Sequence, residues 1–425
     1  MRACAKIIFR AWHKGSNLMR RFSNLIIVIS LALVIATAIG IVGSFWLSNT
    51  STPEPDYRFL RAVGNDFVDE QGNKVYLKGI NAGGLFIQEE WMCPVESKDT
   101  LTTYNTLISR FGYDDAMALI KAYQDAWWQE KDFDNIKELG FNLIRLPFAY
   151  FNIENQAGEL VNFDKLDWFI DNCEDRDIYV ILDLHGAYGS QNAKDHSGDT
   201  SGVNLFGNKE NEEKTIALWQ AVAERYKDRD IIAGYDLLNE PEGEHGYTDF
   251  RQWNFYNKLY KAIRKVDSNH ILIMEAVWET NALPNPTLYG WENVCYSYHN
   301  YGWDDINNFE YQKNFTDKKV ADYLAQREKF QVPLFVGEFT LFSNVDSWNY
   351  VLGTYESNNI NYAIWTYKVH TSSGKSSWGI YTGGTEKVNP ESDSYDTILN
   401  KWSANSTINS YKYNTLYDNI LTKGE

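Results

Sequence analysis

Short apolar runs alternate with longer amphipathic segments along most of the chain. Eight runs have the length of strands, and several consist almost entirely of aliphatic and aromatic residues, as strands buried on both faces do. In order they read KVYLKGINAG, FNLIRLPF, IYVILDLHG, IAGYDLLNEP, HILIMEAV, VCYSYHNY, PLFVGEFT and YAIWTYK. The segments between them, such as NEEKTIALWQAVAERYKDR, carry apolar residues at helical spacing. This alternation predicts an α/β fold, the parallel (β/α)₈ TIM barrel.

The two ends of the repeating region are simpler. FLRAVGNDFVDEQGNKVYLKG predicts a short N-terminal β-hairpin with its turn at Gln71, Gly72 and Asn73. Beyond Lys387 the chain is polar and predicts one helix, without a separate domain. A doubly wound open sheet is the alternative fold, but no GxGxxG opens a helix after the first strand. We therefore interpret residues 57–425 as one folded domain.

The first residues differ in kind from the rest. Residues 1–24 are rich in Arg and Lys, and the uncharged segment 25–47 exceeds the roughly 20 residues that cross a bilayer. Basic residues before this segment and none directly after it predict a cytosolic tail, a transmembrane anchor and an extracytoplasmic catalytic domain. A Ser, Thr and Pro-rich stretch, 48–56, then forms a linker. Ala36-Thr37-Ala38 leaves a cleaved signal peptide as the alternative, which also exports the domain.

Composition limits the partners. The chain has 425 residues, of which 44% are hydrophobic, enough for a large core. Its formal net charge of −17 argues against a nucleic-acid partner, and we expect a monomer. Cys93, Cys173 and Cys295 leave an odd number outside the cytosol, so no disulfide framework is implied, and Cys173 is predicted to be core. The chain lacks CxxC and HExxH spacing, so no metal or other cofactor is predicted.

Polar residues gather where the predicted strands end. In a barrel of this kind the chemistry lies at the carboxyl ends of the strands. Ionisable groups in such buried places are costly unless they are paired or used. The ends carry Asn81, Arg145, His185, Asn239 with Glu240, Glu275, His299 with Tyr301, Glu338, and Trp365.

Two of these carboxylates predict acid and base chemistry. Glu338 is in phase with Leu334 and Val336, so strand alternation predicts that its side chain points the same way as these core residues. Pro241 favours an extended backbone at Glu240 and thereby fixes the direction of that side chain. Two acids facing each other across a barrel mouth can serve as proton donor and nucleophile for a glycosidic bond.

These motifs together resemble glycoside hydrolase family 5, the cellulase-like branch of the retaining (β/α)₈ glycosidase clan. The resemblance covers about Phe59 to Tyr381 and includes NLIRLPF, DLHG, Asn-Glu-Pro, HNY, VGEF and IWTYK in the family's order. It implies that Glu240 is the general acid/base and Glu338 the nucleophile, with net retention of the β-configuration.

The remaining residues are predicted to bind substrate or to tune the two acids. Arg145 and Tyr301 near Glu338 would favour its charged form, whereas a charged neighbour and partial burial would raise the pKa of Glu240. Asn239 would bond the sugar 2-hydroxyl. The others in the substrate-binding set are Asn81, His185, His299 and Trp365, the last as a flat floor for a sugar ring. Glu275 is interpreted as a hydrogen-bonding partner of the site.

The sequence leaves the substrate open. GINAGG with EEWMCP, and the long polar loop Gly186 to Phe206, resemble the exo-1,3-glucanase branch, where this loop shapes a closed pocket. Leu85 stands where that branch has a tryptophan, and WTYKVHTSSGKSSWGIY resembles endo-β-1,4-glucanase or glycolipid-cleaving branches. We expect an exo-acting enzyme on β-glucan or its oligosaccharides. Tryptophans that would contact further sugars are Trp91, Trp303 and Trp378.

Two hypotheses from other classes remain at this stage. The first is a carbohydrate-binding protein on a barrel without catalysis. The second is a metal-dependent barrel hydrolase, which an HxH pair after the first strand would have favoured, although that strand ends in GINAGG.

Overall fold

The computed structural model describes residues 59–242 and 250–421. The predicted basic tail, apolar segment and linker, 1–24, 25–47 and 48–56, lie outside these residues. In the two described stretches, no helix combines the length and the apolarity needed to span a bilayer.

The chain enters the fold through a small antiparallel sheet. Its strands are β1 (Arg61–Val63), β2 (Asp66–Val68) and β3 (Lys74–Val75), and β2 pairs with both neighbours. The predicted turn at 71–73 is confirmed, because Asp69 accepts hydrogen bonds from the backbone N–H groups of Gln71 and Asn73. The sheet has one more strand than the predicted hairpin.

Eight parallel strands then close into a barrel, and each predicted apolar run supplies one of them. They are β4 (Lys78–Asn81), β5 (Leu143–Ala149), β6 (Tyr179–Gly186), β7 (Ile232–Asp236), β8 (Ile271–Glu275), β9 (Val294–Asn300), β10 (Leu334–Phe339) and β11 (Asn361–Ile364). Strand β11 pairs with β4 and closes the ring. The (β/α)₈ prediction is therefore confirmed.

Helices occupy the connections between the strands. In the described residues they are α1 (Thr100–Phe111), α2 (Tyr113–Trp127), α3 (Glu130–Glu138), α4 (Tyr150–Ile153), α5 (Asp164–Glu174), α6 (Lys209–Tyr226), α7 (Phe250–Ile263), α8 (Phe309–Phe330) and α9 (Val345–Ser357). Several begin with an Asn or Asp cap; the Asn208 side chain, for example, accepts from two N–H groups at the start of α6.

The C-terminal region adds more structure than the single predicted helix. A small sheet contains β12 (Lys368–His370), β13 (Tyr381–Gly383) and β14 (Tyr411–Tyr413). Two helices, α10 (Tyr395–Ala404) and α11 (Thr407–Ser410), precede β14. The polar composition hid these elements because their buried residues, such as Trp402, are few.

Alternation along the strands separates the barrel interior from the layer under the helices. One apolar cluster contains interior residues from different strands, including Leu143, Ile181, Ile271, Cys295 and Phe335. Their sequence neighbours belong to a second cluster shared with the helices, including Ile144, Leu182, Leu272, Tyr296 and Leu334. Cys173 is fully buried in the second cluster, as predicted. Continuing the interior positions toward the strand ends leads directly to the polar residues of the site.

Glu338 reaches the mouth for a different reason from the one predicted. Leu334 and Val336 face the helices, so strict alternation would turn Glu338 the same way. The pairing of β10 with β9 shifts register between Val336 and Glu338, and Glu338 lies opposite His299. This bulge at Gly337 changes the phase of the strand and directs the carboxylate into the mouth.

The close contact between β4 and β5 gives a test of the packing. A Cβ on Gly79 would lie 2.8 Å from the Leu143 carbonyl oxygen. We expect Gly79→Ala to lower the free energy of unfolding by about 1 to 3 kcal/mol, because backbone atoms cannot move aside cheaply. Gly353→Ala in α9 is the control: its Cβ would meet nothing within 4 Å, and helix propensity predicts a gain of up to about 1 kcal/mol. Equal urea midpoints for the two variants would contradict this account.

Candidate active site

The predicted strand-end residues lie together at the carboxyl end of the barrel. Arg145 contacts Asn81, Asn239 and Glu338, and His299 contacts Glu240. Tyr301 contacts Glu338, whereas His185 lies 4.0 Å from Glu338 and stacks on Trp365. Each strand delivers its residue at an inward-facing position just beyond the apolar interior.

Glu240 and Glu338 form a close carboxylate pair. One oxygen from each, together with a His299 nitrogen, lie within 4.8 Å of one another. Retaining glycosidases have carboxyl groups about 5 to 5.5 Å apart, whereas inverting enzymes need about 6.5 to 9.5 Å for an intervening water. The two carboxylates are therefore close enough for the retaining arrangement.

The surroundings of Glu338 suit a nucleophile. Arg145 Nη1 donates to its Oε1 at 2.9 Å, and the Tyr301 hydroxyl donates to its Oε2 at 2.8 Å. Burial nevertheless raises the pKa of Glu338 to about 7, and the lowering effects of His299 and Arg145 do not cancel it. Arg145 and Tyr301 do lower the pKa of Glu338, as predicted, but the desolvation of the buried carboxylate has the larger effect.

The surroundings of Glu240 lower its pKa, whereas those of Glu338 leave its pKa raised. His196 Nε2 lies 3.1 Å from its Oε2, and His299 Nδ1 lies 2.7 Å from its Oε1. Burial alone would raise the pKa of Glu240, but the charge and hydrogen bond of His196, with those of His299, hold it well below its usual value. The prediction of a raised pKa for Glu240 was therefore wrong in the substrate-free site. The sequence argument lacked His196.

The backbone of Glu240 also differs from expectation. Its φ is +41°, in the left-handed region, and not the extended conformation that Pro241 was predicted to favour. Non-glycine residues in that region are strained and persist where the surroundings fix them. Here Asn239 N–H bonds the Leu184 carbonyl, and the Asn192 amide donates to the Glu240 carbonyl at 3.1 Å.

Arg145 is the centre of the polar layer. The side chain is fully buried, and its Nε donates to Asp236 Oδ2 at 3.0 Å while Nη2 lies 3.1 Å from Asp183 Oδ1. Glu275 Oε2 lies 3.7 Å from Nη2. Burial alone would lower the pKa of Arg145, but the carboxylates around it raise the pKa. The arginine is thus permanently charged.

One cation cannot hold four surrounding carboxyl groups in their charged form. Burial raises the pKa of both Asp183 and Asp236 to about 7, although Arg145 lowers each. Burial raises the pKa of Glu275 well above its usual value, and the charge of Asp236 adds to this. The raised pKa favours the neutral form of Glu275, whose Oε1 lies 3.3 Å from His299 Nε2. Neither carboxyl oxygen has a hydrogen-bond partner within the described residues, so its predicted role as a hydrogen-bonding partner was wrong.

His185 and Asn239 present groups for a sugar. His185 Nδ1 bonds Asp183 at 2.5 Å, and burial lowers the pKa of His185 well below its usual value, so the imidazole is neutral. Its ring stacks on Trp365 with centroids 5.5 Å apart and planes inclined by 5°. Asn239 Oδ1 accepts from Arg145 at 2.8 Å, whereas its buried Nδ2 has no partner in the described structure. A sugar hydroxyl could accept from that donor.

A scan against family models matches residues 68–371 to Cellulase (glycosyl hydrolase family 5). The chain belongs to glycosyl hydrolase family 5. A beta-xylosidase of Phanerodontia chrysosporium is 31% identical over 57% of this chain and 52% of its own length. A probable glucan 1,3-beta-glucosidase A of Aspergillus fumigatus is 26% identical over 62% of this chain and 65% of its own length. The chain thus spans half to two thirds of these curated relatives.

Solved structures agree on the family 5 fold. An endogalactoceramidase superposes with a TM-score of 0.55 at 17% identity, covering 72% of this chain and 74% of that one. At this level of identity the likeness concerns the barrel architecture alone.

Aromatic rings extend the family 5 site outward from Glu338. Tyr301 stacks with Trp303 and Trp378 at centroid distances of 5.3 and 5.7 Å, and Trp91 meets Trp378 edge-on at 5.3 Å. Trp303 is 54% exposed. In this aromatic mouth, formed by Trp91, Tyr301, Trp303 and Trp378, the ring of Trp303 is exposed whereas that of Trp378 is buried.

Two groups of side chains bring possible metal-binding atoms together. In each, one ligand atom per residue lies within 4.8 Å of the others: Glu240 with His299 and Glu338, and Glu89 with Asp195 and His196. Both surround the acid pair, where the same atoms would face a sugar, and we assign no metal to either.

A cavity of about 880 Å³ lies elsewhere on the domain, lined by residues such as Tyr113, Gln124, Trp128 and Trp168. None of the nine predicted site residues lines it. Neither Glu240 nor Glu338 lines this cavity, so we do not include it in the candidate active site.

Four ionisable residues of the site were not predicted from the sequence. Asp183 is two residues before His185 on one face of β6, so alternation could have found it, and Asp236 is in the last position of β7. Glu89 and His196 lie on loops, where no period marks them. Glu89 Oε2 accepts from Trp91 Nε1 at 2.7 Å, and its Oε1 has no partner among the residues that the structure describes. Burial raises the pKa of Glu89 to about 7.

Removing the central cation should make stability depend strongly on pH. At pH 7.5, Arg145→Met should lower the free energy of unfolding by about 3 to 5 kcal/mol, because buried carboxylates lose their partner. A carboxyl group whose pKa is raised by folding stabilises the fold at low pH and loses that contribution as the pH rises through about 7 for Asp183 and Asp236. The decrease in the free energy of unfolding caused by Arg145→Met should therefore be smaller at pH 5 than at pH 7.5.

Urea denaturation of both proteins at the two pH values measures this effect. Lys74→Met is the control, since it removes a lysine that is 70% exposed and paired with Asp66. That change should cost no more than about 1 kcal/mol at either pH. A pH-independent loss in Arg145→Met would refute the charge argument.

Proposed function

We propose that this family 5 chain is a retaining glycosidase that hydrolyses β-glucosidic bonds, with Glu240 as acid/base and Glu338 as nucleophile. The observation that carries the proposal is the carboxylate pair within 4.8 Å at the carboxyl ends of β7 and β10. Family membership and relatives with glucosidase and xylosidase names support it.

The reaction would proceed by double displacement. A Glu338 oxygen forms a bond to the anomeric carbon while the bond to the leaving oxygen breaks and that oxygen takes the proton of Glu240. Water then attacks the glycosyl-enzyme, giving its proton to Glu240 and releasing Glu338, so the β-configuration is retained. Arg145 and Tyr301 would stabilise Glu338 as it leaves, and the free amide of Asn239 would donate to the sugar 2-hydroxyl.

The preferred substrate of this proposal is β-1,3-glucan attacked from its end. The long loop after β6 returns over the site: Gln191 and Asn192 donate to the backbone carbonyls of Asn239 and Glu240. A loop fixed in this way restricts the site on one side, as an exo-acting pocket requires. The name of the Aspergillus fumigatus relative agrees with this choice.

Product analysis with the full chain in detergent solution tests the proposal. The panel is β-1,3-glucan, β-1,4-glucan, mannan, a β-xyloside and a glucosylated lipid. We expect glucose as the first product from β-1,3-glucan, released as the β-anomer in proton NMR. Mixed oligosaccharides from β-1,4-glucan would instead indicate an endo-acting cleft, and xylose or ceramide release would reassign the substrate.

Two variants accompany the panel. Glu338→Ala should lower hydrolysis at least about a thousandfold, because the attacking group is gone. Glu386→Ala is the matched control, since that side chain is 84% exposed and should leave the rate unchanged. If the unaltered protein and Glu338→Ala are equally inactive on the whole panel, the chain is a binding barrel and not an enzyme.

We further propose that the segment 25–47 anchors the chain in a membrane with the barrel on the extracytoplasmic side. The proposal rests on the apolar length of this segment and on the basic residues before it. In producing cells, the chain should stay with membranes at alkaline pH, and external protease should remove the barrel. A mature N-terminus just after Ala38 would show cleavage and overturn the anchor.

A further inference from the structure

His196 lies against the proposed acid/base although it comes from a distant loop. Its Nε2 is 3.1 Å from Glu240 Oε2, while His299 bonds the other oxygen at 2.7 Å. Each oxygen of Glu240 thus faces one imidazole. His299 is enclosed at the end of β9, whereas the His196 side chain is 22% exposed and belongs to a short turn, Asp195–Ser197.

The loop that carries His196 is fixed on both sides. Ser190 and Ser197 are joined through their hydroxyl groups at 3.0 Å, and Ser197 Oγ donates to the Lys194 carbonyl at 2.7 Å. The Asn192 amide donates to the Glu240 carbonyl and lies 2.9 Å from His196 Nε2. These bonds hold the imidazole at the carboxylate.

The groups facing His196 are mostly acidic. Glu240 approaches from the end of β7, Glu89 from the loop after β4, and Asp195 from its own turn, with Glu338 of β10 behind. The neighbouring His185 ring, 6.1 Å away, is neutral, and Lys194 lies near Glu242 at 4.0 Å. Burial would lower the pKa of His196, but Glu240 and the other carboxylates raise it to about 9.

His196 Nε2 has a partner in either protonation state. When protonated, it donates to Glu240 Oε2; when neutral, it accepts from the Asn192 amide, 2.9 Å away. A proton can therefore pass between Nε2 and Oε2 without leaving either nitrogen or oxygen unpaired. This matters because the proposed acid must carry a proton, whereas two imidazoles hold Glu240 as a carboxylate in the free site.

We propose that His196 is a positioning residue that stores the proton of the acid/base in the free enzyme and returns it to Glu240 when a glycosidic oxygen binds. This inference rests on the proposed function. The proton moves from His196 Nε2 to Glu240 Oε2, leaving a neutral imidazole, and then to the leaving oxygen as its bond to the anomeric carbon breaks. The attacking water restores one proton to Glu240, and hence to His196.

His196 and Glu240 together then hold one proton until the pH rises far enough for the imidazolium of His196 to lose it. Without the imidazole, the pH above which the rate falls is set by the pKa of Glu240 alone. The ordinary pKa of glutamate is lower than that of histidine. His196→Asn removes the imidazole and cannot store a proton, whereas the longer amide of His196→Gln reaches about as far as Nε2 and also cannot store one. The basic limb of His196→Asn in kcat/KM should lie at least about one pH unit lower, a loss that approaches tenfold at pH values above the basic limb of the unaltered protein.

The test compares two leaving groups in the full chain. With phenyl β-glucoside, whose leaving group needs a proton, His196→Asn should show the shifted basic limb. With 2,4-dinitrophenyl β-glucoside, which leaves without one, the variant and the unaltered protein should have the same profile.

Lys194→Gln, which removes a nearby cation without touching Glu240, should behave as the unaltered protein with both substrates. His196→Gln should behave as His196→Asn, which would show that the effect does not come from a folding defect of one variant. Identical basic limbs for His196→Asn and the unaltered protein with phenyl β-glucoside would overturn the proposal.

A second readout needs no turnover. The chain has seven histidines, so ¹³C-labelled histidine gives few NMR signals, and the one lost in His196→Asn is that of His196. It should titrate above pH 8 and fall by at least about one unit in Glu240→Gln, because the carboxylate that holds the proton is gone. An ordinary titration near pH 6.5 that ignores Glu240→Gln would overturn the proposal. If neither glucoside is hydrolysed, the proposed function fails while this titration still decides the role of His196.

Discussion

One buried guanidinium connects the strand ends that make up the site. Arg145, on β5, is inaccessible to solvent and bonds Asn81 at the end of β4, Asp236 of β7, Asn239 after it and Glu338 of β10. A buried charge is tolerated only with well-placed partners, so these contacts must form together as the barrel closes. The interaction that completes the barrel mouth also positions the proposed nucleophile.

The same cation leaves an excess of negative charge. Asp183, Asp236, Glu275 and Glu338 surround Arg145, and burial raises the pKa of all four. Some of these carboxyl groups therefore keep their protons near neutral pH. Which of them do so depends on where each group lies and not on whether it is Asp or Glu. The pKa of Glu275 is raised beside His299, whereas the pKa of Glu240, which faces two imidazoles instead of Arg145, is lowered. Such coupled groups titrate as a set.

The barrel could be predicted from the sequence because near-continuous apolar runs alternate with amphipathic segments, and most of the site because its side chains continue the strand period of two. Apolar interior residues such as Leu143 and Ile181 lead, two positions at a time, to Arg145 and to Asp183 with His185. The period fails where the backbone is irregular. The bulge at Gly337 and the positive φ of Glu240 are set by neighbouring strands and loops, not by local sequence.

The pKa values of Glu240 and Glu338 were harder to predict from the sequence, because they depend on which loop lies over these two residues. Gln191 and Asn192 bond the carbonyls of Asn239 and Glu240, so the loop after β6 and the turn that carries the acid form one unit. Gly186 permits this return, since a Cβ there would lie 2.5 Å from the Ser197 carbonyl. Opening this side of the site into a cleft would move His196 away from Glu240. The same segment therefore borders the site and places the imidazole of His196 beside Glu240.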